Sequence, residues 1–155
     1  MVEKPVITVG ASADPPVIRE PLSREECIEA LRATSLGRVV TTFGPDSRPF
    51  VRPVSYVYDA VSGSVVFHSM PGGKLHALLG RRDACFEIDG AHDDWVWSVI
   101  VRGRVETEDR PREIARLEQL VRPALDIPAE GRWVRVRGEV ISGVRFLAHA
   151  GAAPT

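Results

Sequence analysis

Residues 65–79 have the sequence VVFHSMPGGKLHALL, and the rest of the chain is organised around this stretch. Residues 65–69 predict a strand, Pro71-Gly72-Gly73 predicts a turn, and residues 74–79 predict a short amphipathic helix. A helix begins with unpaired backbone N–H groups, and glycines let an anion approach them closely. With Lys74 in its first turn, the stretch is typical of a phosphate anchor. A plain strand-to-helix turn with a solvated lysine has the same sequence, and the stretch taken alone favours that interpretation.

The composition is that of a single globular domain. The chain has 155 residues and a formal charge of −1, with 26% charged and 44% hydrophobic residues. Nucleic acid is not an expected partner, because binding to a phosphate backbone usually needs a basic surface. Cys27 and Cys85 form no CxxC pair, so we expect two buried, reduced thiols. The sequence has neither a signal-peptide pattern nor an apolar run long enough to span a membrane, so we expect a cytoplasmic protein.

The pattern of elements predicts a mainly β domain with flanking helices. We expect a loose or disordered N-terminal arm over residues 1–20, a folded domain over 21–147 and a flexible tail over 148–155. Ser23-Arg24-Glu25-Glu26 is a capping box and predicts a helix that ends near Ala33. The other predicted helices are residues 74–79 and a segment from Pro111 that stops before Pro123. The predicted strands are 37–43, 48–58, 65–69, 84–89, 95–106, 133–137 and 140–146, with a polar loop at 90–94.

The strand at 48–58 contains two prolines, Pro49 and Pro53, two pleats apart. Both missing backbone donors lie on the same side, so that edge cannot be fully paired and should border a gap, a bulge or a ligand. Short links between most strands predict antiparallel pairing. Six to seven strands and about three helices are expected, and a small closed barrel satisfies the strand edges best.

Several familiar site types are not indicated. Lys74 is followed by Leu75 where a Walker loop would have Ser or Thr, no GxSxG elbow is present, and the histidines lack zinc-like spacing. The sequence therefore identifies no catalytic residue and no metal site. Anion-binding and aromatic residues remain on adjacent strands and the turn: Arg52, Ser69, Lys74, Trp97, Ser98 and Arg102. Taken singly, each has an ordinary structural explanation, such as core packing for Trp97 or a surface ion pair for Arg52.

The order of six short motifs favours a shared binding site over these separate structural explanations. The motifs are Gly37-Arg38-Val39, RPVSYVYD at 52–59, GKLHAL at 73–78, FEID at 86–89, WSVIVRG at 97–103 and Ile141-Ser142-Gly143. Together they resemble the pyridoxamine 5′-phosphate oxidase-like, FMN-binding split-barrel family, and more narrowly its branch of nitroimidazole-resistance-type proteins. The resemblance covers roughly residues 22–147.

The resemblance implies a six-stranded split barrel that forms a homodimer with flavin mononucleotide (FMN) in two clefts at the subunit interface. Arg52 and Lys74 would contact the cofactor phosphate with help from Ser69, and the strand from Arg52 to Ser55 would run along the isoalloxazine ring. Ser98 would reach the ring or ribityl chain from the partner subunit, and His68 would lie on the strand that lines the cleft. The implied cofactor-binding set is Arg52, Pro53, Val54, Ser55, His68, Ser69, Lys74, Leu75, Trp97 and Ser98.

The implied activity is transfer of hydride or electrons between FMN and a small organic substrate. Oxidation of vitamin B6 is not expected, because residues 145–149 (RFLAH) lack the spacing of the Arg-x-His element that holds the substrate phosphate in true oxidases. Relatives of this fold also use a deazaflavin coenzyme or bind haem, and no residue pattern here separates these cofactors. A non-catalytic flavin- or haem-binding protein is therefore a further alternative.

Overall fold

The computed structural model describes residues 18–80, 83–121 and 130–147. Within them the chain forms nine strands and three helices. The strands are β1 (Arg19–Leu22), β2 (Leu36–Phe43), β3 (Arg48–Ser55), β4 (Val57–Asp59), β5 (Ser64–Ser69), β6 (Asp83–His92), β7 (Trp95–Glu108), β8 (Arg132–Arg137) and β9 (Val140–Leu147). The helices are α1 (Arg24–Ala33), α2 (Gly73–Leu79) and α3 (Pro111–Val121).

All strand pairs are antiparallel, and the strands follow the order β3-β2-β6-β7-β8-β5-β4. The long strand β7 pairs with β6 on one edge and divides its other edge between β9 and β8. β9 in turn pairs with β1. The predicted mainly β class with flanking helices is therefore confirmed.

Three boundaries differ from the sequence-based expectation. Arg19 and Glu20 lie in β1, so the folded domain starts before residue 21; the remainder of the predicted arm, residues 1–17, and the tail, 148–155, lie outside the described residues. The strand predicted at 48–58 is interrupted at Tyr56, which divides it into β3 and β4. β6 extends to His92 through most of the predicted polar loop. The described chain therefore has nine strands where six to seven were expected.

Helix α1 begins as its sequence predicts. The Ser23 side chain accepts a hydrogen bond from the Glu26 backbone N–H at 3.2 Å, and the Glu26 carboxylate accepts one from the Ser23 N–H at 2.6 Å. This capping box fixes the first turn and directs Cys27 and Leu31 into the core. Both cysteines are free thiols, but only Cys27 is buried; Cys85 is half-buried.

Apolar side chains pack on both faces of the β5–β8 region. The larger cluster fills the barrel, where it joins residues of α1 and α2 to those of the sheet. The smaller cluster lies under α3 and contains Val66, Leu117, Val121 and Trp133. No helix among the described residues is long and apolar enough to cross a membrane.

Tyr56 fixes the place where β3 and β4 diverge. Its backbone N–H donates to the Ser35 carbonyl at 2.9 Å, and its hydroxyl donates to the Leu31 carbonyl at 2.8 Å and lies in hydrogen-bond contact with Thr34. Its ring meets Phe86 edge-on, with centroids 4.6 Å apart. These bonds tie the chain to α1 and to the segment before β2, so β3 stays with β2 while β4 crosses to β5.

A buried ionic network holds α3 against the sheet. Arg116 of α3 donates two hydrogen bonds to the Asp59 carboxylate, at 3.0 and 2.7 Å, and also pairs with Glu113 at 3.0 Å. Arg135 of β8 lies between Asp59, at 3.8 Å, and Glu108, at 2.7 Å. Asp59, Glu108 and Arg135 are all buried, so each charge depends on its partners within the network.

The network lowers the pKa values of its two buried carboxylates. Burial raises the pKa of Asp59, but hydrogen bonds from Arg116 and Ser62 outweigh burial and bring the pKa to about 2. For Glu108, hydrogen bonds from Arg110 are the largest cause and lower the pKa to about 2. Both groups are therefore carboxylates at neutral pH.

Candidate functional site

The site begins at the outer edge of β3, with which no strand among the described residues pairs. Two hydrogen bonds show which backbone groups face that edge. The Tyr56 N–H points towards β2, where it meets Ser35, whereas the Val51 carbonyl accepts a 3.2 Å bond from the Arg52 side chain. Because backbone groups alternate in direction along a strand, those of Pro49, Val51, Pro53 and Ser55 face outwards. The expected incompletely paired edge is present.

This edge presents a fixed pattern of hydrogen-bonding groups. Four carbonyls are directed outwards, but only Val51 and Ser55 supply an N–H beside them, since proline has none. Spaced acceptors and donors of this kind match the polar rim of a flat heterocycle.

The other side of the site is the C-terminal half of β5. β4 pairs only with Ser64–Val66, so the edge of Phe67–Ser69 on that side has no described partner strand. β3 and β5 approach each other, with Cα atoms within 8 Å. We call the space between Arg52–Ser55 and Phe67–Ser69 the split.

Three predicted residues lie around the split on the barrel side. Arg52 lies opposite Val39 on the face that also carries Val54, and its exposed guanidinium is 4.8 Å from the Phe50 ring centroid. No described carboxylate forms an ion pair with it. Ser69 is buried, and its hydroxyl donates a long 3.4 Å bond to the Met70 carbonyl. Leu75 packs into the core of the barrel.

Helix α2 follows the turn at Pro71 and Gly72 and contains seven residues. The backbone of Lys74 lies in its first turn, as predicted. So short a helix adds little dipole to an anion site, so binding of a phosphate would depend mainly on cationic side chains.

Two other predicted residues differ in orientation, since His68 faces away from this side and Val54 faces into the barrel. His68 lies on the opposite face of β5 from Ser69 and packs edge-on against Trp133, with centroids 5.1 Å apart. Burial lowers the pKa of His68, and the Glu118 carboxylate opposes this effect only in part. Val54, by contrast, is buried in the core of the barrel beside the split.

Trp97 and Ser98 lie on opposite faces of β7, as neighbours in a strand must. The Trp97 indole covers Gly90, where an added Cβ would lie 2.5 Å from the ring, so only glycine fits beneath it. Ser98 lies between Asp89 and Val144 on the outer face of the sheet. It is three strand spacings, about 14 Å, from Ser55, so one chain does not bring Ser98 into its own split.

The outer face that carries Ser98 is not covered by any described helix. Leu36, Val51, Ile100 and Val140 are among the exposed large apolar residues, and all four lie on it. We call this surface the outer sheet face. Among the described residues, no group of three or more His, Cys, Asp or Glu side chains is placed to hold a metal ion.

Residues 23–146 match the sequence model of one family, described as pyridoxamine 5′-phosphate oxidase. The chain belongs to this family. The match covers β2–β9 and all three helices, so the site of this pyridoxamine 5′-phosphate oxidase family member lies wholly within the matched segment, and the resemblance inferred from the sequence is confirmed.

Solved structures agree with this assignment. A Corynebacterium glutamicum protein described as a candidate pyridoxamine 5′-phosphate oxidase is 30% identical, with a TM-score of 0.71 over 83% of this chain and 98% of that one. The FAD binding protein of Mycobacterium smegmatis is 29% identical, with a TM-score of 0.67 over 82% and 97%. A candidate 5-nitroimidazole antibiotic resistance protein of Bacteroides thetaiotaomicron has a TM-score of 0.70 over 94% and 95%; at 17% identity it shows the shared fold alone.

Sequence reasoning missed the residues that shape the site from a distance. Tyr56, which sets the split, carries no local signal other than its position between two strands. The ionic network joins Asp59, Glu108, Arg116 and Arg135, which are far apart in sequence. The opposite orientations of Trp97 and Ser98, in contrast, follow from strand alternation alone.

Proposed function

We propose that this chain binds a flavin, FMN, in the split and functions as a homodimeric flavin-dependent oxidoreductase. One observation carries the proposal: the unpaired outer edge of β3 presents alternating backbone acceptors and donors directly beside Arg52, a cation with no carboxylate partner among the described residues. A flavin needs both features, a polar rim for its ring and a positive charge for its phosphate.

The residues around the split fit this cofactor. Arg52 and Lys74 would hold the phosphate, with the Ser69 hydroxyl as an additional donor, since its present bond is long at 3.4 Å. The backbone of Pro53 and Ser55 would contact the ring rim, and Val54, whose backbone groups face β2, would support this edge from the core of the barrel. Leu75 supports the turn from within the core.

The bound flavin would supply the redox chemistry, by transfer of hydride or electrons to or from a small organic molecule. The chain's own residues then need only bind the cofactor, orient its ring and leave one face of it open to the substrate. This accounts for a site without an evident catalytic acid or base.

A second copy of the chain is the proposed partner. The outer sheet face exposes Leu36, Val51, Ile100 and Val140 beside the ion pair of Arg38 and Glu87, and exposed apolar side chains on an uncovered sheet are a common feature of interfaces. In a dimer formed through this face, Ser98 of one subunit would contact the cofactor in the split of the other, which it does not reach in its own subunit. His68 and Trp97 remain predicted cofactor residues, although His68 faces away from the barrel side of the split and Trp97 packs against the barrel core from β7. Two unpaired cysteines support a cytoplasmic location.

FAD is the second cofactor that a specific observation favours. The Mycobacterium smegmatis relative, 29% identical, is an FAD binding protein. FAD shares the ring and the first phosphate of FMN, so the same residues would serve both, and titrations with FMN and FAD distinguish them.

The absorption spectrum of the purified protein tests the proposal first. Flavin bands support it, whereas a Soret band would identify haem and a deazaflavin spectrum would identify that coenzyme. If the sample is colourless, FMN added to the protein should bind. Reduction of the bound flavin by a nicotinamide donor, followed by reoxidation by an acceptor, supports catalysis; tight binding without turnover would favour a storage or sensing role.

A further inference from the structure

A cavity of about 390 Å³ lies between α2 and the start of β8. Its walls contain Pro71, Gly72, Leu75, Leu79, Gly131 and Arg132. The volume falls within the usual range for small-molecule sites. Two of the six lining residues, Leu75 and Leu79, are large and apolar, and one, Arg132, is charged.

Arg132 is adjacent to the split. It lies directly opposite Ser69 in the β5–β8 pair, and cross-strand neighbours share a face of the sheet with Cβ atoms about 5 Å apart. Ser69 is on the barrel side of β5, so Arg132 is on the barrel side of β8. Arg132 and Ser69 therefore lie side by side on the barrel side, and β3, the strand that carries Arg52, also approaches β5.

Arg132 differs from the arginines that the fold uses for structure. Arg116, Arg135 and Arg145 each form hydrogen-bonded ion pairs with carboxylates. The Arg132 side chain forms no ion pair or hydrogen bond with any described residue, and the exposed Glu130 does not line the cavity. The cavity therefore has a positive charge at one side and leucine side chains at the other.

Two glycines shape the cavity at this position. Gly131 has a φ of 114°, and a Cβ there would lie 2.6 Å from the Ser69 carbonyl, so only glycine allows the β8 strand to start so close to β5. Gly72 has a φ of 139° and lines the cavity from the turn before α2. Substitution of either would change the shape of the cavity.

We propose that this cavity binds the anionic group of a ligand with an apolar body, and that Arg132 is the binding residue for that group. This rests in part on the proposed function, since the ligand is either the flavin, through its phosphate, or a separate organic acid that is the substrate. Both share the chemistry of an oxyanion that accepts charge-assisted hydrogen bonds from a guanidinium, with an apolar part against Leu75 and Leu79.

The test compares Arg132→Gln with the matched control Arg112→Gln, which removes an exposed arginine of α3. Dissociation constants are measured for FMN and for riboflavin, which lacks the phosphate, by flavin fluorescence. Binding of sodium benzoate, an anion with an apolar ring, is measured by calorimetry. Far-UV circular dichroism and thermal unfolding verify that both variants fold.

Two results support the proposal and identify the ligand. If Arg132→Gln weakens FMN by about ten- to a hundredfold but leaves riboflavin unchanged, the anion is the cofactor phosphate. If both flavins are unchanged but benzoate binding weakens at least tenfold, the anion is a separate acid. The Arg112→Gln variant should behave as wild type in every titration.

Two results would overturn the proposal. In the first, wild type and Arg132→Gln bind FMN, riboflavin and benzoate equally. In the second, wild type does not bind benzoate and Arg132→Gln leaves both flavin affinities unchanged. Failure of the flavin proposal would give a different result. Wild type would then bind neither FMN nor riboflavin, while the benzoate titration would still report on Arg132.

Discussion

Replacement of Asp59 by Asn should make the stability of the protein less dependent on pH. Asp59 is buried, and its hydrogen bonds to Arg116 and Ser62 lower its pKa from an ordinary value of 3.8 to about 2. A lowered carboxylate pKa stabilises the fold above the unfolded-state pKa, and this contribution is lost as pH falls towards the folded-state value. At about 1.4 kcal/mol per pH unit, the contribution at neutral pH is about 2 kcal/mol.

The assay is urea unfolding of the cofactor-free protein, followed by circular dichroism at pH 7, 5, 4, 3 and about 2. At pH 7, Asp59→Asn should be less stable than wild type by about 2 kcal/mol. The difference should shrink below about pH 4 and become small at about pH 2, where Asp59 of the folded wild type is half protonated. The control is Asp46→Asn, because Asp46 is exposed and its ion pair with Arg48 is long, at 3.8 Å. This substitution should change the free energy of unfolding by less than about 0.5 kcal/mol.

An equal difference between Asp59→Asn and wild type at pH 7 and pH 2 would refute this reasoning. The stabilisation would then come from the shape of the side chain and not from its charge. Glu108 adds a second acid-sensitive contribution of the same sign, which is present in both proteins.

Three further predictions follow from the split and the sheet. Lys74→Ala and Arg52→Ala should each weaken FMN by about tenfold while riboflavin affinity is retained; equal losses for both ligands would remove these residues from phosphate binding. Tyr56→Phe should lower the free energy of unfolding by about 1–2 kcal/mol, because the Leu31 carbonyl loses its donor, and chemical denaturation measures this. Ile100→Glu, on the outer sheet face, should convert the proposed dimer to a monomer in light scattering without loss of β structure. A dimer that persists in this variant would place the interface elsewhere.

The elements that could be predicted are those with a local physical cause. The capping box at Ser23 fixes the start of α1, and the alternation of apolar and polar residues along β7 sets its two faces. The edge position of β3 was foreseeable from Pro49 and Pro53, since a missing donor excludes a partner strand.

The elements that were missed depend on distant parts of the chain. β1 has no hydrophobic alternation and forms because β9 offers it an edge. The interruption at Tyr56 arises from hydrogen bonds to α1 and to the segment before β2, which local sequence does not reveal. β6 extends to His92 because the β6–β7 pairing continues past Gly90, where the Trp97 indole packs on the strand.

Only part of the candidate site could be predicted, because its residues are also brought together by distant parts of the chain. The positions of Arg52 and Ser69 on neighbouring elements followed from the motif order. Their shared orientation towards the barrel could be established only when the split and the strand faces were known. Arg132 had no sequence signal, since its significance comes from its pairing with Ser69 and from the absence of a carboxylate partner among the described residues.

Titration of the cofactor-free protein with FMN and riboflavin, followed by quenching of flavin fluorescence, tests directly whether the split binds a flavin through its phosphate. We expect one FMN per chain and an affinity at least tenfold higher than that for riboflavin, because the cations beside the split hold the phosphate. The claim would be contradicted if neither flavin bound, or if FMN and riboflavin bound with equal affinity.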